Sequence, residues 1–139
     1  MPLMKSIKHM KSCWMSSSTV HNKPWGVEHI WSALGTLQGK MLFVRSDQRT
    51  SLKYNTLKDE CLYVLNGTIE VEFGCEGTLV DPVQYPFQKI VISSGECFNV
   101  QSGCPYRISA HATGAEVIEI SERKFNSKTI RLEDDYGRE

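Results

Sequence analysis

The chain has 139 residues, room for one domain and not comfortably two. Sixteen basic residues balance sixteen acidic ones and 40% of the chain is hydrophobic. That balance is ordinary for a globular protein and argues against a general nucleic-acid binder, which neutralises phosphates with a net basic face. No apolar run approaches the roughly 20 residues of a membrane helix, so no membrane contact is expected.

The first 22 residues read as an arm rich in Lys, Ser and Met. A short amphipathic helix around Ile7 to Met15 is one reading and disorder is the other. Trp14 is placed to dock on the body or on a second subunit. Lys5, Lys8 and Lys11 resemble the basic start of a secretion signal, but Ser16, Ser17, Ser18 and Thr19 follow instead of an apolar stretch. No signal is read, and a cytoplasmic location is expected. Cys13, Cys61, Cys75, Cys97 and Cys104 make an odd count with no Cys-x-x-Cys spacing. They read as unpaired thiols in a reducing compartment, without a cysteine-type zinc site.

From Val27 onward, short β-like runs alternate with turn residues. Glu28–Trp31 and Lys40–Arg45 come first. Glu60–Leu65 and Thr68–Phe73 flank Asn66-Gly67, the pattern of a β-hairpin. Val71 and Phe73 alternate with Glu70 and Glu72, as in a half-buried strand. Residues 74–88, with Gly74, Gly77, Pro82 and Pro86, read as a loop. Gln88–Ile92, Cys97–Val100, Tyr106–Ala110 and Glu116–Ser121 complete the series. No long helix is evident. Strands at this spacing indicate an all-β sandwich or small barrel.

Several segments go further. They are Lys23-Pro24-Trp25-Gly26; Asp47-Gln48-Arg49-Thr50-Ser51-Leu52; Asp59-Glu60 with Tyr63-Val64-Leu65 and Gly67; Gly95, Gly103 and Pro105-Tyr106-Arg107; and Arg131-Leu132-Glu133-Asp134-Asp135-Tyr136-Gly137-Arg138. In order and spacing the chain resembles the cupin domain of type II mannose-6-phosphate isomerases, which is also the C-terminal part of bifunctional mannose-1-phosphate guanylyltransferases. The resemblance implies one cupin double-stranded β-helix, a jelly-roll barrel, over residues 23–139 after an arm at 1–22. It also implies a homodimer, since such barrels leave sheet faces and edges to cover.

The family pattern places Gln, His, Glu and a second-motif His inside the barrel around a divalent metal. Here the corresponding residues are Lys53, Asn55, Glu60 and Tyr106, and Gln101 replaces the second-motif Pro. An ammonium has no lone pair to give and repels a cation, so no metal cofactor is expected. Lys53 is instead expected to pair with Glu60, while Tyr106 hydrogen-bonds Glu60 or Asn55. The candidate ligand-binding set is Lys53, Asn55, Glu60, Tyr106 and Arg45. The candidate catalytic set is Glu60, Lys53 and Tyr106.

Other residues take plainer readings. Arg45 reaches the pocket or, as most Arg do, the surface. His111 is a loop His and His29 a packing residue beside Trp31. Trp25 anchors its loop or stacks on a sugar. The resemblance makes the acidic tail Glu133-Asp134-Asp135-Tyr136 a structural terminus lying along the barrel.

Three functions stay open. The first is a metal-free binding cupin taking a small anionic or sugar-like ligand such as a sugar phosphate. The second is a sugar-phosphate or sugar-nucleotide isomerase using Glu60 as base with Lys53 and Tyr106 as electrophiles. The third is a structural cupin with a plugged barrel.

Overall fold

The computed structural model describes residues 10–138. Nine strands run in chain order: β1 Thr19–Lys23, β2 Gly26–Leu34, β3 Leu37–Val44, β4 Leu52–Asn55, β5 Glu60–Phe73, β6 Gln88–Ser93, β7 Cys97–Val100, β8 Tyr106–Glu122 and β9 Thr129–Glu133. A single 3-10 turn, Glu76–Leu79, lies between β5 and β6. Every strand pairing is antiparallel.

The two longest strands organise the rest. The second half of β8 pairs with β3 on one side and with the first half of β5 on the other. The first half of β8 meets β4 at Lys53 and Tyr106, and pairs with the second half of β5. Each long strand therefore belongs to two sheets and bends between them. One sheet runs β1-β2-β3-β8-β5-β7 and the other β9-β4-β8-β5-β6.

The bends correct two expectations. Asn66-Gly67 is not a hairpin turn, and Tyr106–Ala110 and Glu116–Ser121 are not separate strands. The register slips between Val64 and Asn66 and again between Gly67 and Ile69. Gly67 takes φ +87° and faces Gly114, at φ +71°. A Cβ on Gly67 would lie 2.6 Å from the Gly114 carbonyl oxygen. An Asn-Gly pair supplies the left-handed backbone that an extra residue in a strand needs as readily as the one a tight turn needs.

The bulges also switch which residues face inward. On β5 the buried series is Glu60, Leu62 and Val64, then Ile69 and Val71. On β8 it is Tyr106, Ile108 and Ala110, then Ala115, Val117 and Glu119. These apolar side chains join Trp25, Leu42, Val44, Ile92 and Val100 in one core between the sheets. Full burial of each Val, Leu or Ile contributes roughly 1.5–3 kcal/mol. Trp25 is an anchor: it is buried in this core.

The sheet begins before residue 23, because β1 pairs along its length with β2 from Thr19 to Lys23. Residues 10–18 form no strand or helix, and Trp14 is exposed rather than docked. The Ile7–Met15 segment lies partly outside the described residues.

The C-terminal tail lies along the second sheet. β9 pairs with β4. Arg107, on the face of β8 opposite Tyr106, is fully buried beneath it. Its Nε donates to the Thr50 carbonyl oxygen at 3.1 Å and its Nη1 to Glu133 Oε2 at 3.3 Å. Arg49 donates twice to Asp135, at 2.6 and 2.9 Å, and Tyr136 donates to Gln48 Oε1 at 2.7 Å.

Candidate functional site

At one end of the core the inward face becomes polar. Lys53 and Asn55 are alternate residues of β4, which turns Leu52 the other way. Glu60 opens β5, and Tyr106 opens β8 beside Lys53. Asn55 Nδ2 donates to Glu60 Oε1 at 2.6 Å, and the Tyr106 hydroxyl donates to the same oxygen at 2.9 Å. Asn55 is fixed in turn by Thr129 Oγ1, which donates to Asn55 Oδ1 at 2.9 Å. Its amide therefore has to present nitrogen, not oxygen, to Glu60.

Three charged residues absent from the sequence-based set complete the group. Glu119 follows Val117 on the inward face of β8, Lys40 precedes Leu42 on β3, and Glu28 comes from β2. Lys40 Nζ lies 3.4 Å from Glu28 and 3.8 Å from Glu119 Oε2. Lys23 approaches Glu28 at 3.7 Å. The signal for all three was present in the sequence: a charged residue two places from an inward apolar one shares its face.

The ion-pair expectation needs correcting. The close cation at Glu60 is Lys58, 3.8 Å from Oε2, on the loop between β4 and β5. Among the described residues Lys53 makes no hydrogen bond and no ion pair within 4.0 Å, although Glu119 and Glu60 both act on it through their charge. A flexible Lys in a four-residue loop can swing onto the carboxylate, whereas Lys53 is held by its strand position.

Electrostatics sorts the group into distinct proton states. Burial pulls the Lys53 pKa down, with Glu119 and Glu60 opposing it. Burial also lowers that of Lys40, but Glu119 and Glu28 more than reverse this, and its pKa is raised. Burial pushes Glu60 up, and hydrogen bonding with Glu119 and the charges of Lys58 and Lys53 bring it below the ordinary carboxylate value. Burial and the Glu60 charge raise Glu119 to about 7. Two carboxyls hydrogen-bonded together hold one proton, and here it belongs to Glu119. Burial and both carboxylates keep the Tyr106 phenol well above its usual pKa, so it stays a donor.

The resemblance implies a metal here, and the donors present do not fit one. Glu60 Oε1 already accepts two hydrogen bonds, Tyr106 is protonated and an ammonium stands beside them. Among the described residues no three His, Cys, Asp or Glu side chains form a group that could hold a metal ion.

Arg45 does not join the group. It is exposed and donates to the Pro24 carbonyl oxygen. It lines a separate groove of about 470 Å³ with Phe43, Asn66, Thr113 and Glu116, where β5 and β8 bend. His111 is exposed in that bend, and the ring of His29 packs edge-on against Phe43 at 5.3 Å. All five cysteines are free.

No family model matches the chain, and no curated protein sequence matches it. Solved structures do. Oxalate decarboxylase from Bacillus subtilis is 16% identical over 83% of this chain and 30% of that one, with a TM-score of 0.69. The formate complex of Lactobacillus farciminis oxalate decarboxylase is 16% identical over 83% and 34%, with a TM-score of 0.67. CapF bound to the inhibitor 3-isopropenyl-tropolone is 14% identical over 86% and 35%, with a TM-score of 0.70. The chain has the cupin fold. The described residues form one all-β domain of that fold, and the chain spans about a third of the length of these neighbours. At such identities the likeness shows architecture alone. Among the described residues no helix is long and apolar enough to cross a membrane.

Proposed function

We propose that this cupin binds a small anionic or sugar-like ligand inside its barrel without a metal, with Lys53 as the anion-binding group and Asn55, Glu60 and Tyr106 shaping the site. One observation carries this reading. Lys23, Lys40 and Lys58 each have a carboxylate within 4.0 Å, and Lys53 has none. An uncompensated ammonium in a low-dielectric site is costly, and an arriving anion removes that cost. One structural neighbour, the oxalate decarboxylase of Lactobacillus farciminis, forms a complex with formate, a small carboxylate.

The test is calorimetric titration of the whole chain with acetate, inorganic phosphate and mannose 6-phosphate, repeated on Lys53→Met. Binding of at least one anion, lost in the variant, supports the reading. Binding of none, or binding that Lys53→Met leaves untouched, would sink it.

Sugar-phosphate isomerisation is the second reading, favoured by the carboxyl pair. Isomerisation moves a proton between adjacent carbons while the carbonyl is polarised. Glu60 is held ionised as a base, and Tyr106 and Lys53 are held as donors. A coupled assay on mannose 6-phosphate, with Glu60→Gln as control, separates this from binding alone.

The homodimer and the cytoplasmic location belong to the same proposal. The outward face of the first sheet carries exposed Trp31, Phe43, Tyr63, Leu65 and Ile120, an apolar surface suited to a second copy. Light scattering of the purified chain reads the dimer directly.

A further inference from the structure

Where β5 runs on toward the 3-10 turn, one cysteine stands opposite another. Phe73 pairs with Tyr106 at the strand ends. The pairing continues one step beyond them, where the Gly74 N–H donates to the Pro105 carbonyl oxygen at 2.9 Å. Two steps beyond that, a Cβ on Gly103 would lie 3.8 Å from the Cβ of Glu76. Cys75 and Cys104 lie between these two contacts and face each other. Neither N–H bonds across the pair: Cys75 donates to Thr78 Oγ1 at 3.0 Å and Cys104 to the Gln101 carbonyl oxygen at 3.2 Å. Opposed residues without a hydrogen bond between them are the closer kind in an antiparallel ladder. Their Cα atoms lie about 4.5 Å apart, within the roughly 4.4–6.8 Å that a disulfide spans.

The two thiols are placed for different roles. Cys75 is exposed and lines a cleft of about 230 Å³ with Phe73, Gln84 and Tyr85. The Thr78 hydroxyl donates to its Sγ at 3.8 Å, and backbone hydrogen bonds from Gly77 and Thr78 add to this, so its pKa is lowered. An accessible thiol with a larger thiolate fraction is the better nucleophile. Cys104 is half-buried against the core, and burial and the Cys75 charge raise its pKa. Once the Cys75 sulfur is bonded to something else that charge is gone, and Cys104 ionises more readily. Cys61 and Cys97 also sit on neighbouring strands, but they are offset: Cys61 faces Asn99 and Cys97 faces Tyr63. Burial raises the Cys61 pKa, so that pair repeats neither the alignment nor the activated partner.

We propose that Cys75 and Cys104 form a dithiol–disulfide site that exchanges with small-molecule disulfides, Cys75 attacking and Cys104 resolving. The Cys75 thiolate attacks one sulfur of the small disulfide from the cleft side. A mixed disulfide forms on Cys75 and the other half leaves as a thiolate. Cys104 then attacks Cys75 Sγ as a thiolate and expels the second half. The protein gives up two electrons, the small disulfide becomes two thiols, and the two protein thiol protons end on them. The new bond closes a loop that holds β6 and β7, and its Cys104 end lies two residues before Tyr106. In a reducing compartment the pair rests as thiols and closes as the disulfide fraction of the surrounding pool rises.

The test incubates the whole chain with oxidised glutathione at neutral pH and maps its cysteines by peptide mass spectrometry without reduction. The expected product is a Cys75–Cys104 cross-link, two hydrogens lighter than the dithiol, which excess reduced glutathione reverses. Cys104→Ser should stop at a glutathione adduct on Cys75, and Cys75→Ser should give neither product. Iodoacetamide should label Cys75 several-fold faster than Cys97, which is also exposed. The wild-type map and the labelling need no variant, so they stand even if Cys104→Ser does not fold. Thiols that all stay free, a Cys61–Cys97 bond as the main cross-link, or equal labelling of Cys75 and Cys97 would overturn the proposal. A glutathione adduct on Cys104 in Cys75→Ser, formed as fast as the wild-type cross-link, would overturn the assignment of Cys75 as the attacking thiol.

Discussion

Two charged clusters lie on opposite faces of the second sheet, and they differ in how completely they satisfy themselves. Beneath the C-terminal tail, buried Arg107 meets Glu133 at 3.3 Å and Asp135 at 4.0 Å, while Arg49 holds Asp135 and Arg138 holds Asp134. Each cation there has a carboxylate within 4.0 Å, although Arg107 Nη2 makes no hydrogen bond, and the result is a clasp that ties β9 and the terminus to β4 and β8. Inside the barrel Glu60 is saturated, but Lys53 and Glu119 Oε2 are not. The comparison teaches that charge density alone does not mark a site. What distinguishes the interior is a donor and an acceptor kept apart by strand geometry.

The largest expected effect tests the clasp. Arg107→Ala should destabilise the chain by about 3 kcal/mol in urea unfolding, since it removes a buried side chain and strands the Thr50 carbonyl. A loss below about 1 kcal/mol would mean that the clasp is ornamental.

Next comes the interior carboxyl pair. The folded pKa of Glu119, about 7, stands above its ordinary value of 4.5. Between those values the folded chain binds the extra proton, so this group favours folding on the acid side and the contribution is lost as pH rises through 7. Glu60, with its lowered pKa, acts in the opposite sense, and its contribution is lost only as pH falls below the ordinary range. Glu119→Gln keeps an N–H donor for Glu60 and removes the titration. Relative to wild type, it should gain on the order of 2–3 kcal/mol between pH 5 and pH 8 in parallel melts. A constant difference across that range would contradict the shared proton.

Two smaller effects complete the contrast. Asp135→Asn should cost up to about 1 kcal/mol, because its bidentate pair with Arg49 is exposed to solvent. Lys53→Met should change stability by less than that, or raise it slightly. Glu60 keeps Asn55, Tyr106 and Lys58, so no buried charge is stranded. A loss of several kcal/mol in thermal melts would mean that Lys53 plugs the barrel structurally.

Much of this was legible in the sequence and some was not, for identifiable reasons. Turn residues at regular intervals announced an all-β chain, and the motif ends pointed to a cupin. The meeting of Asn55, Glu60 and Tyr106 followed from motif register. The long bent strands did not, because Asn66-Gly67 and the Gly114 region carry the backbone preference of both a turn and a bulge. Lys58 drew no attention in the sequence and Arg45 takes the surface position rather than the pocket, because a loop or rim side chain is long enough to choose its partner in three dimensions. Glu119 was overlooked although its alternation with Val117 and Ala115 showed which way it faces.

The most direct test of the central claim watches the Lys53 ammonium itself. Side-chain ¹⁵N NMR, with Lys53→Met to assign the resonance, would follow its titration with and without acetate or inorganic phosphate. The account predicts a pKa below the ordinary lysine value in the free protein, moving upward when the anion binds. A Lys53 resonance that titrates normally and ignores the anion would contradict it.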